Sequence, residues 1–333
     1  MTHQFPPAGY GPWERVAYEE VEGLVELGHE VTLFAAASAE TSAKVHVTIE
    51  ATISEGRTDP RLTEELHIAN AMMVVADGNL DVLHSHLHVH ALGYGPVLPS
   101  PLVSTLHGVA WNRAHHSFLK AFADQPFVSI SDAERSFFPE LNYVATVYNG
   151  VNLEDFDFRS QKDDYLLFVG RIAPDKAPDL AVEIARQSGE RLLLAGDIED
   201  KHRDFFDEAV APRLGHGIEF LGGQPRSVLK GLLAGAKALL MPLRWDEPFG
   251  LVVVEAMASG TPVIGWRRGA LPELIDDGCH GFLVEDVPGA VLAVSRLGEI
   301  DPVSARARVE ERFSRRAMAA GYLEVFRTLL TKH

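Results

Sequence analysis

Short apolar runs alternate with segments of helical spacing along most of the chain. The alternation is clearest in the second half, where strand-like runs at residues 165–170, 191–195 and 237–242 are separated by helical segments such as 177–187 and 204–214. Strands that alternate with helices are typical of a parallel, doubly wound sheet covered by helices. The pattern therefore predicts an α/β fold.

The alternation is interrupted once by a polar and charged segment, residues 157–164. A chain of 333 residues is long enough for two domains, each with its own core. We therefore expect an N-terminal domain over residues 1–156, a linker over 157–164 and a C-terminal domain over 165–312. The last segment, residues 313–333, holds a helix from about 315 to 330.

One helix of the C-terminal domain is apolar almost all round. It is predicted from about residue 251 to 259, because Gly250 breaks the chain before it and Gly260 stands where a left-handed C-cap is favoured. Glu255 is the only charge between Glu247 and Arg267. An ionised carboxylate on a buried helix needs a partner or a ligand.

The spacing around this helix indicates one extended ligand. Glu247 lies in the preceding loop, the free N–H groups of the first turn lie around residues 249–252, and Glu255 follows roughly 5 to 7 Å along the axis. A helix N-terminus favours phosphate, and a carboxylate suits a pair of hydroxyls. A nucleotide-diphosphate sugar has this layout. The alternative is a surface acid at Glu247 and a buried ion pair at Glu255.

Charge and composition narrow the class of partner. The formal net charge of -17 argues against general affinity for nucleic acid or anionic lipid. The sequence has no apolar run long enough for a membrane span and no secretion signal at Met1–Pro6, so we expect a cytoplasmic protein without integral membrane association. The single cysteine, Cys279, excludes an internal disulfide.

In so acidic a chain, cations beside a glycine turn carry more information than usual. Arg171 and Lys176 follow the strand-like run 165–170, around the start of the next helix. A planar guanidinium and a mobile ammonium both suit a diphosphate, and surface charges are the alternative.

Histidines cluster in the N-terminal half, and their alternating positions invite a metal interpretation. They are His84, His86, His88 and His90. In a strand all four would share one face, but no carboxylate or cysteine accompanies them in the sequence, so we disfavour a metal. His107 ends another buried strand, 101–108, where a polar side chain faces the ligand crevice of a doubly wound sheet.

The stretch EPFGLVVVEAMASGTPVI, residues 247–264, resembles the E-x7-E motif of the retaining GT-B glycosyltransferases of family 4. The resemblance implies two Rossmann-like domains that face a cleft, with the last helix returning to the N-terminal domain. It implies that Glu247 holds hydroxyls of the donor sugar and Glu255 those of the ribose. The backbone of Phe249, Gly250 and Leu251 would face the sugar and the phosphates.

Other segments resemble the same family from residue 6 to residue 330. The resemblance implies a diphosphate clamp at Arg171 and Lys176, a loop that approaches the phosphates at Gly9 and Gly11, and a sugar contact near the reacting carbon at His107. These residues, together with Glu247, are the candidates for catalysis and donor binding. The candidates for the acceptor side are His86, which would line the cleft, and Arg113, in the locally basic stretch 112–123.

One departure from the family lies before the Gly9 loop, where a central strand of the N-terminal sheet is expected. Only residues 1–5 precede this loop, and they are not strand-like. We therefore expect the first strand to be absent and the N-terminal sheet to carry a gap. A late start of the chain and a natural loss that impairs activity both remain open.

The expected activity is transfer of a hexosyl group from a nucleotide-diphosphate sugar, with retention and without a metal or cofactor. The alternatives are a non-catalytic relative that binds sugar nucleotides and a sugar-nucleotide epimerase. The base, the sugar and the acceptor, whether small molecule, saccharide or lipid, are left undetermined by the sequence.

Overall fold

A computed structural model describes residues 2–7, 11–53, 59–78, 80–108 and 113–331. Contacts divide the chain into two compact units. Unit 1 comprises Met1–Gly150 and Ser314–His333, and unit 2 comprises Val151–Phe313. Both units are built from parallel strands and helices, as the sequence predicts.

Unit 2 contains one six-stranded parallel sheet in the order β12-β11-β10-β7-β8-β9. Its elements are β7 (Leu166–Val169), α5 (Pro178–Ser188), β8 (Leu192–Ala195), α6 (Arg203–Phe205), β9 (Ile218–Gly222), α7 (Arg226–Gly235), β10 (Ala238–Met241), α8 (Leu251–Ala258), β11 (Val263–Trp266), α9 (Leu271–Leu274), β12 (Gly281–Val284), α10 (Val287–Ser295) and α11 (Pro302–Arg312). The chain enters at the central strand β7 and continues first to one side and then to the other. The order of the strands therefore reverses between β7 and β10, which is where doubly wound sheets bind ligands.

The core of unit 2 explains why its strands were readable from the sequence. Leu166, Phe168, Leu240 and Ile264 of the sheet are fully or almost fully buried and pack in one cluster with Ile184 of α5. A parallel strand covered on both faces must be apolar at consecutive positions, which produces the short uninterrupted runs seen in the sequence.

The polar segment 157–164 is a surface segment held against unit 2 by hydrogen bonds, which differs from its predicted role as a linker between the domains. The ammonium group of Lys162 donates hydrogen bonds to the carbonyl oxygens of Ala234 at 3.0 Å and Ser259 at 3.1 Å. The division between the units falls after Gly150 instead. Polar composition marks exposed chain, but it does not distinguish a linker from a surface segment that is held by hydrogen bonds.

Unit 1 contains two separate parallel sheets, β1-β2 and β3-β4-β5-β6. Its elements are α1 (Pro12–Glu26), β1 (Thr32–Ala36), β2 (Lys44–Ile49), α2 (Pro60–Val75), β3 (Leu83–Ser85), β4 (Leu102–Leu106), α3 (Arg113–Ala121), β5 (Phe127–Ser129), α4 (Asp132–Arg135), β6 (Tyr143–Thr146) and α12 (Arg315–Leu330).

The break between these sheets is the predicted gap. Among the described residues no strand joins β1 to β3. A cavity of about 340 Å³ lies along both, lined by Leu33 of β1 and Leu83 of β3 among others. The described part of the N-terminal segment does not fill the sheet as a strand: buried Phe5 packs with Leu33, and its carbonyl oxygen accepts a hydrogen bond from the amide of Glu40 at 2.7 Å.

The C-terminal helix α12 belongs to unit 1 and packs against α1. Arg315, in its first turn, donates from Nε to Glu19 at 2.7 Å, and Gly23 of α1 leaves so little room that an added Cβ would lie 2.9 Å from the Cβ of Ala319. None of the helices in the described ranges, α12 included, combines the length and the apolar character that a membrane span requires.

Candidate functional site

Two loops meet at the switch point of unit 2. One follows β7, and the other follows β10. The ammonium group of Lys176, in the first loop, donates a short hydrogen bond to Oε2 of Glu247 in the second. It also lies 4.4 Å from the ring centroid of Trp245, in cation–π contact. Two predicted site residues from distant parts of the sequence are thus in direct contact.

Arg171 lies at the start of the first loop and keeps hydrogen-bonding capacity for a ligand. Its guanidinium is 3.3 Å from Oδ2 of Asp175 and 3.6 Å from Glu199. Both contacts are long, and a guanidinium has five N–H donors. The arrangement therefore leaves a partly exposed cation whose donors are not all engaged by these two acids.

Glycines keep the strand ends beside Arg171 free of side chains. Gly196 follows β8 with φ of 158°, and a Cβ there would lie 1.8 Å from the carbonyl oxygen of Gly170. At Gly223, after β9, a Cβ would lie 1.9 Å from Oδ1 of Asp197. Glycine is therefore required at both positions, because neighbouring protein atoms already occupy the space that a side chain would need.

The N-terminus of α8 lies in the second loop and has the features of an anion site. Gly250 precedes the helix in the left-handed region, with φ of 92°, and no side chain caps the helix. Its first turn contains no acidic residue. The amides of Leu251 and the following residue therefore have no partner within the helix and point away from its N-terminus, where the helix dipole favours negative charge. Phe249 is buried beside them and anchors the loop.

Glu255 projects from α8 toward α7, where it forms an ion pair with a residue that the sequence did not identify as its partner. Its Oε1 accepts a hydrogen bond from Nη1 of Arg226 at 2.6 Å. The guanidinium also lies 5.4 Å from the ring centroid of Phe156. The ion-pair alternative for Glu255 is thus realised, but a carboxylate with one oxygen engaged can still accept hydrogen bonds from a ligand.

The predicted residues of unit 1 form a separate group. Nε2 of His107 lies 2.9 Å from Nδ1 of His86, so the two rings share a hydrogen bond. Burial lowers the pKa of His107 well below its usual range, assisted by the neighbouring His86. His107 is therefore a neutral imidazole at physiological pH.

Glu134 is a buried acid beside His107 that the sequence analysis did not single out. It accepts hydrogen bonds from the amides of Gly108 and, at 3.1 Å, Ile130. Burial raises the pKa of Glu134 to about 8, although both hydrogen bonds oppose the rise. The sequence predicts that Glu134 lies in a helix capped by Ser131. It does not predict that the side chain accepts a hydrogen bond from the loop that follows His107.

A carboxylate does accompany the histidine cluster, which corrects the sequence analysis. Glu20 reaches from α1 to Nδ1 of His84 at 2.6 Å and to Nε2 of His86 at 3.0 Å. Burial alone would raise the pKa of Glu20, but the two imidazoles lower it to about 2, so the carboxylate is ionised. The partner was missed because it lies 64 residues before His84.

The remaining predicted residues are less informative. Gly9 lies outside the described residues. Gly11 is the residue before α1, where a Cβ would lie 2.9 Å from the Cβ of Pro7, and Arg113 is exposed at the start of α3. The group that the structure assembles most completely is therefore the one in unit 2.

The fold and the switch-point loops define a class, the two-unit α/β proteins with Rossmann-like parallel sheets and an uncapped helix N-terminus at the switch point. Two family models match consecutive parts of the chain. The model described as Glycosyltransferase Family 4 matches residues 13–155, and the model described as Glycosyl transferases group 1 matches residues 152–297. The chain belongs to the GT-B glycosyltransferases of the family 4 type.

Curated relatives and a solved structure agree with this family. The chain is 35% identical to D-inositol 3-phosphate glycosyltransferase of Mycolicibacterium smegmatis, over 48% of this chain and 39% of that protein. It is 26% identical to glycogen synthase of Mycobacterium tuberculosis, over 92% of this chain and 87% of that protein. Three relatives are matched over only 39% to 63% of their own length: the Mycolicibacterium protein, a D-inositol 3-phosphate glycosyltransferase of Saccharomonospora viridis and an uncharacterized glycosyltransferase of Methanocaldococcus jannaschii.

Among solved structures, a glycosyltransferase involved in avilamycin A biosynthesis superposes with a TM-score of 0.75. The two sequences are 25% identical, and the match covers 99% of this chain and 93% of that one. The GT-B architecture expected from the sequence is therefore confirmed.

Proposed function

We propose that the protein transfers a sugar from a nucleotide-diphosphate sugar to an acceptor, with retention at the anomeric carbon. The observation that carries the proposal is the switch-point group of unit 2. It combines the Lys176–Glu247 pair, the uncapped N-terminus of α8 and the partly exposed Arg171. This group offers cations and amides for a diphosphate beside carboxylates for hydroxyl groups.

In this proposal the leaving diphosphate is stabilised by the chain's own positive groups. Negative charge grows on the diphosphate as the bond to the sugar breaks, and preorganised donors in a partly buried site stabilise such charge strongly. Arg171, Lys176 and the amides around Leu251 supply these donors. We therefore propose transfer without a metal ion at the diphosphate.

The carboxylates would recognise the two ends of the donor. Glu247 is held by Lys176 and is mostly buried, so its second oxygen is positioned to accept from sugar hydroxyls. Glu255, held by Arg226, would accept from the ribose hydroxyls. For His107 a contact with the donor sugar stays a prediction, with a neutral ring that can donate or accept one hydrogen bond.

The acceptor is not identified by the relatives. The names of two of them indicate inositol 3-phosphate and glycogen as the molecules they act on. These acceptors differ in size and charge, and the chain spans only part of the first of these proteins. The first transfer assay should therefore test a panel of acceptors.

A second candidate is a relative that binds sugar nucleotides without turning them over. Among the described residues no strand joins the two sheets of unit 1, and residues at the carboxyl edges of separate sheets are supported by fewer strands, which favours this candidate. An epimerase is the third alternative.

Incubation with several nucleotide sugars distinguishes the transferase, the receptor and the epimerase. Release of nucleoside diphosphate with transfer to an acceptor supports the transferase, an isomeric sugar nucleotide supports the epimerase, and binding without change supports the receptor.

Calorimetry tests the binding site itself. UDP, GDP and ADP are titrated into the full chain, and the nucleotide that binds is titrated into Glu255→Gln and Arg171→Ala. Loss of a charge-assisted hydrogen bond is worth about 1.5–3 kcal/mol, so each variant should weaken binding about 10-fold or more. Arg186→Ala, an exposed position on α5, is the matched control. Unchanged affinity in both site variants would overturn the assigned site.

A further inference from the structure

Unit 1 contains a compact set of metal-ligating side chains apart from the switch-point group. Glu20 comes from α1, His84 from β3, and His86 follows β3 directly. One ligand atom from each of the three lies within 4.8 Å of the other two. Glu20 is buried, and both imidazoles are mostly buried. The set therefore presents three ligand atoms to one small volume.

The nitrogen of each ring that is farther from Glu20 has a hydrogen-bond partner of its own. Nε2 of His84 lies 2.7 Å from Oγ1 of Thr105, and Nδ1 of His86 lies 2.9 Å from Nε2 of His107. If both rings donate to these outer partners, their protons lie on the far nitrogens, and Nδ1 of His84 and Nε2 of His86 carry lone pairs that can bind a metal. Metal-binding histidines are oriented in this way, by an N–H donated to an outer partner.

With this assignment of protons, the lone pairs of both histidines face the carboxylate of Glu20. Oε2 of Glu20 is buried and forms no hydrogen bond of good geometry, although Nε2 of His86 is 3.0 Å away. A cation between the three groups satisfies all of them at once.

The chemistry of the ligand set selects the kind of ion. Two imidazoles and one carboxylate are a set that zinc accepts in proteins, with a fourth position open to water. The cavity of about 340 Å³ beside the gap is lined by all three residues, so a water ligand has room. The ionised carboxylate contributes the negative charge that a buried dication needs.

We propose that Glu20, His84 and His86 bind one zinc ion. The ion ties α1 to the four-stranded sheet beside the gap and, through His86, holds the ring of His107. The site does not use the loops of unit 2, and zinc binding is measured without any sugar transfer, so each of the two proposals can fail alone.

The test uses the full chain after dialysis against a chelator, titrated with zinc chloride and followed by calorimetry and by metal analysis after gel filtration. We expect one tightly bound equivalent and a higher melting temperature in its presence. Cobalt(II) should give the visible absorption bands of a low-coordinate site. Glu20→Gln and His86→Asn should each lower the zinc affinity more than ~10-fold, and Thr105→Val, which removes an outer partner, by about 10-fold.

His29→Gln, an exposed histidine, is the control for zinc held at the surface and should bind like the unsubstituted chain. Circular dichroism and nucleotide binding by unit 2 report whether each variant is folded. If a variant does not fold, the stoichiometry and cobalt spectrum of the unsubstituted chain still decide. No bound equivalent in the folded chain, a cobalt spectrum of a six-coordinate aquo ion, or equal affinity in folded Glu20→Gln and His86→Asn would overturn the site.

Discussion

The ion pair between Arg226 and Glu255 allows a quantitative test of how the candidate site is held. The two atoms are 2.6 Å apart, and the side chains are 23% and 12% exposed. Two unit charges 4 Å apart near a protein surface interact by about 4 kcal/mol, and the loss of hydration offsets most of this gain. Because both groups retain some contact with water, we expect a net coupling of about 1–2 kcal/mol.

A double-mutant cycle measures this coupling. Arg226→Met, Glu255→Gln and the double variant are unfolded in urea, and the difference between the double and the summed single effects gives the pair energy. The Arg296–Glu299 pair is the control, since its side chains are 47% and 56% exposed, and exposed pairs of this kind are worth less than about 1 kcal/mol. A coupling for Arg226 and Glu255 no larger than that of the control would refute the reasoning.

The same variants test whether Arg226 positions Glu255 for the ribose. Arg226→Met leaves the carboxylate in place chemically but removes its restraint. A loss of about 1 kcal/mol corresponds to about fivefold weaker nucleotide binding, less than the ~10-fold loss expected for Glu255→Gln. Equal losses would indicate instead that Arg226 contacts the ligand directly, and no loss in either would remove the ribose role from Glu255.

Two further predictions concern stability. Gly196→Ala should lower the free energy of unfolding by at least about 3 kcal/mol, because the added methyl group would overlap the backbone. Gly189→Ala is the control: its φ is 74° and the space around it is open, so it should lower the free energy of unfolding by about 1–2 kcal/mol. Similar urea midpoints for the two variants would contradict this prediction. Burial lowers the pKa of His67 from 6.5 to about 3, so between these two pH values only the unfolded chain takes up this proton. The free energy of unfolding should therefore decrease as the pH is lowered from 6.5, by up to about 1.4 kcal/mol per pH unit. His67→Gln should flatten the pH dependence of the free energy of unfolding between pH 6.5 and 5, and His29→Gln should not. Parallel curves for the unsubstituted chain and both variants would contradict this prediction.

The sequence predicted those elements best whose apolar residues are covered on both faces. The strands β7, β8 and β10 and the helix α8 lie within a residue or so of their predicted bounds. The predicted helix 204–214 is instead divided into a short α-helix (Arg203–Phe205), a π-helical segment (Phe206–Val210) and a 3₁₀ turn (Ala211–Arg213). Pro212 explains the end of regular structure there, since proline lacks an N–H and its ring clashes with the preceding turn.

The candidate site was predictable where topology alone brings residues together. Lys176 and Glu247 follow neighbouring strands of a doubly wound sheet, so strand order is enough to place them side by side. Arg226 and Glu20 were missed because their contacts depend on which face each helix presents to another element. That orientation results from packing, which a single sequence does not specify.

The gap in unit 1 bears on how that unit loses structure. In the described chain β1 is bonded only to β2, and β3 only to β4, so two strands that border the cavity are sheet edges. Backbone amides at an edge exchange with solvent through small local openings, and regions with few buried contacts open at lower free energy than the rest of a domain. Unit 1 should therefore behave as two cooperative blocks in amide hydrogen exchange, β1-β2 and β3-β6, whereas the continuous sheet of unit 2 should exchange as one.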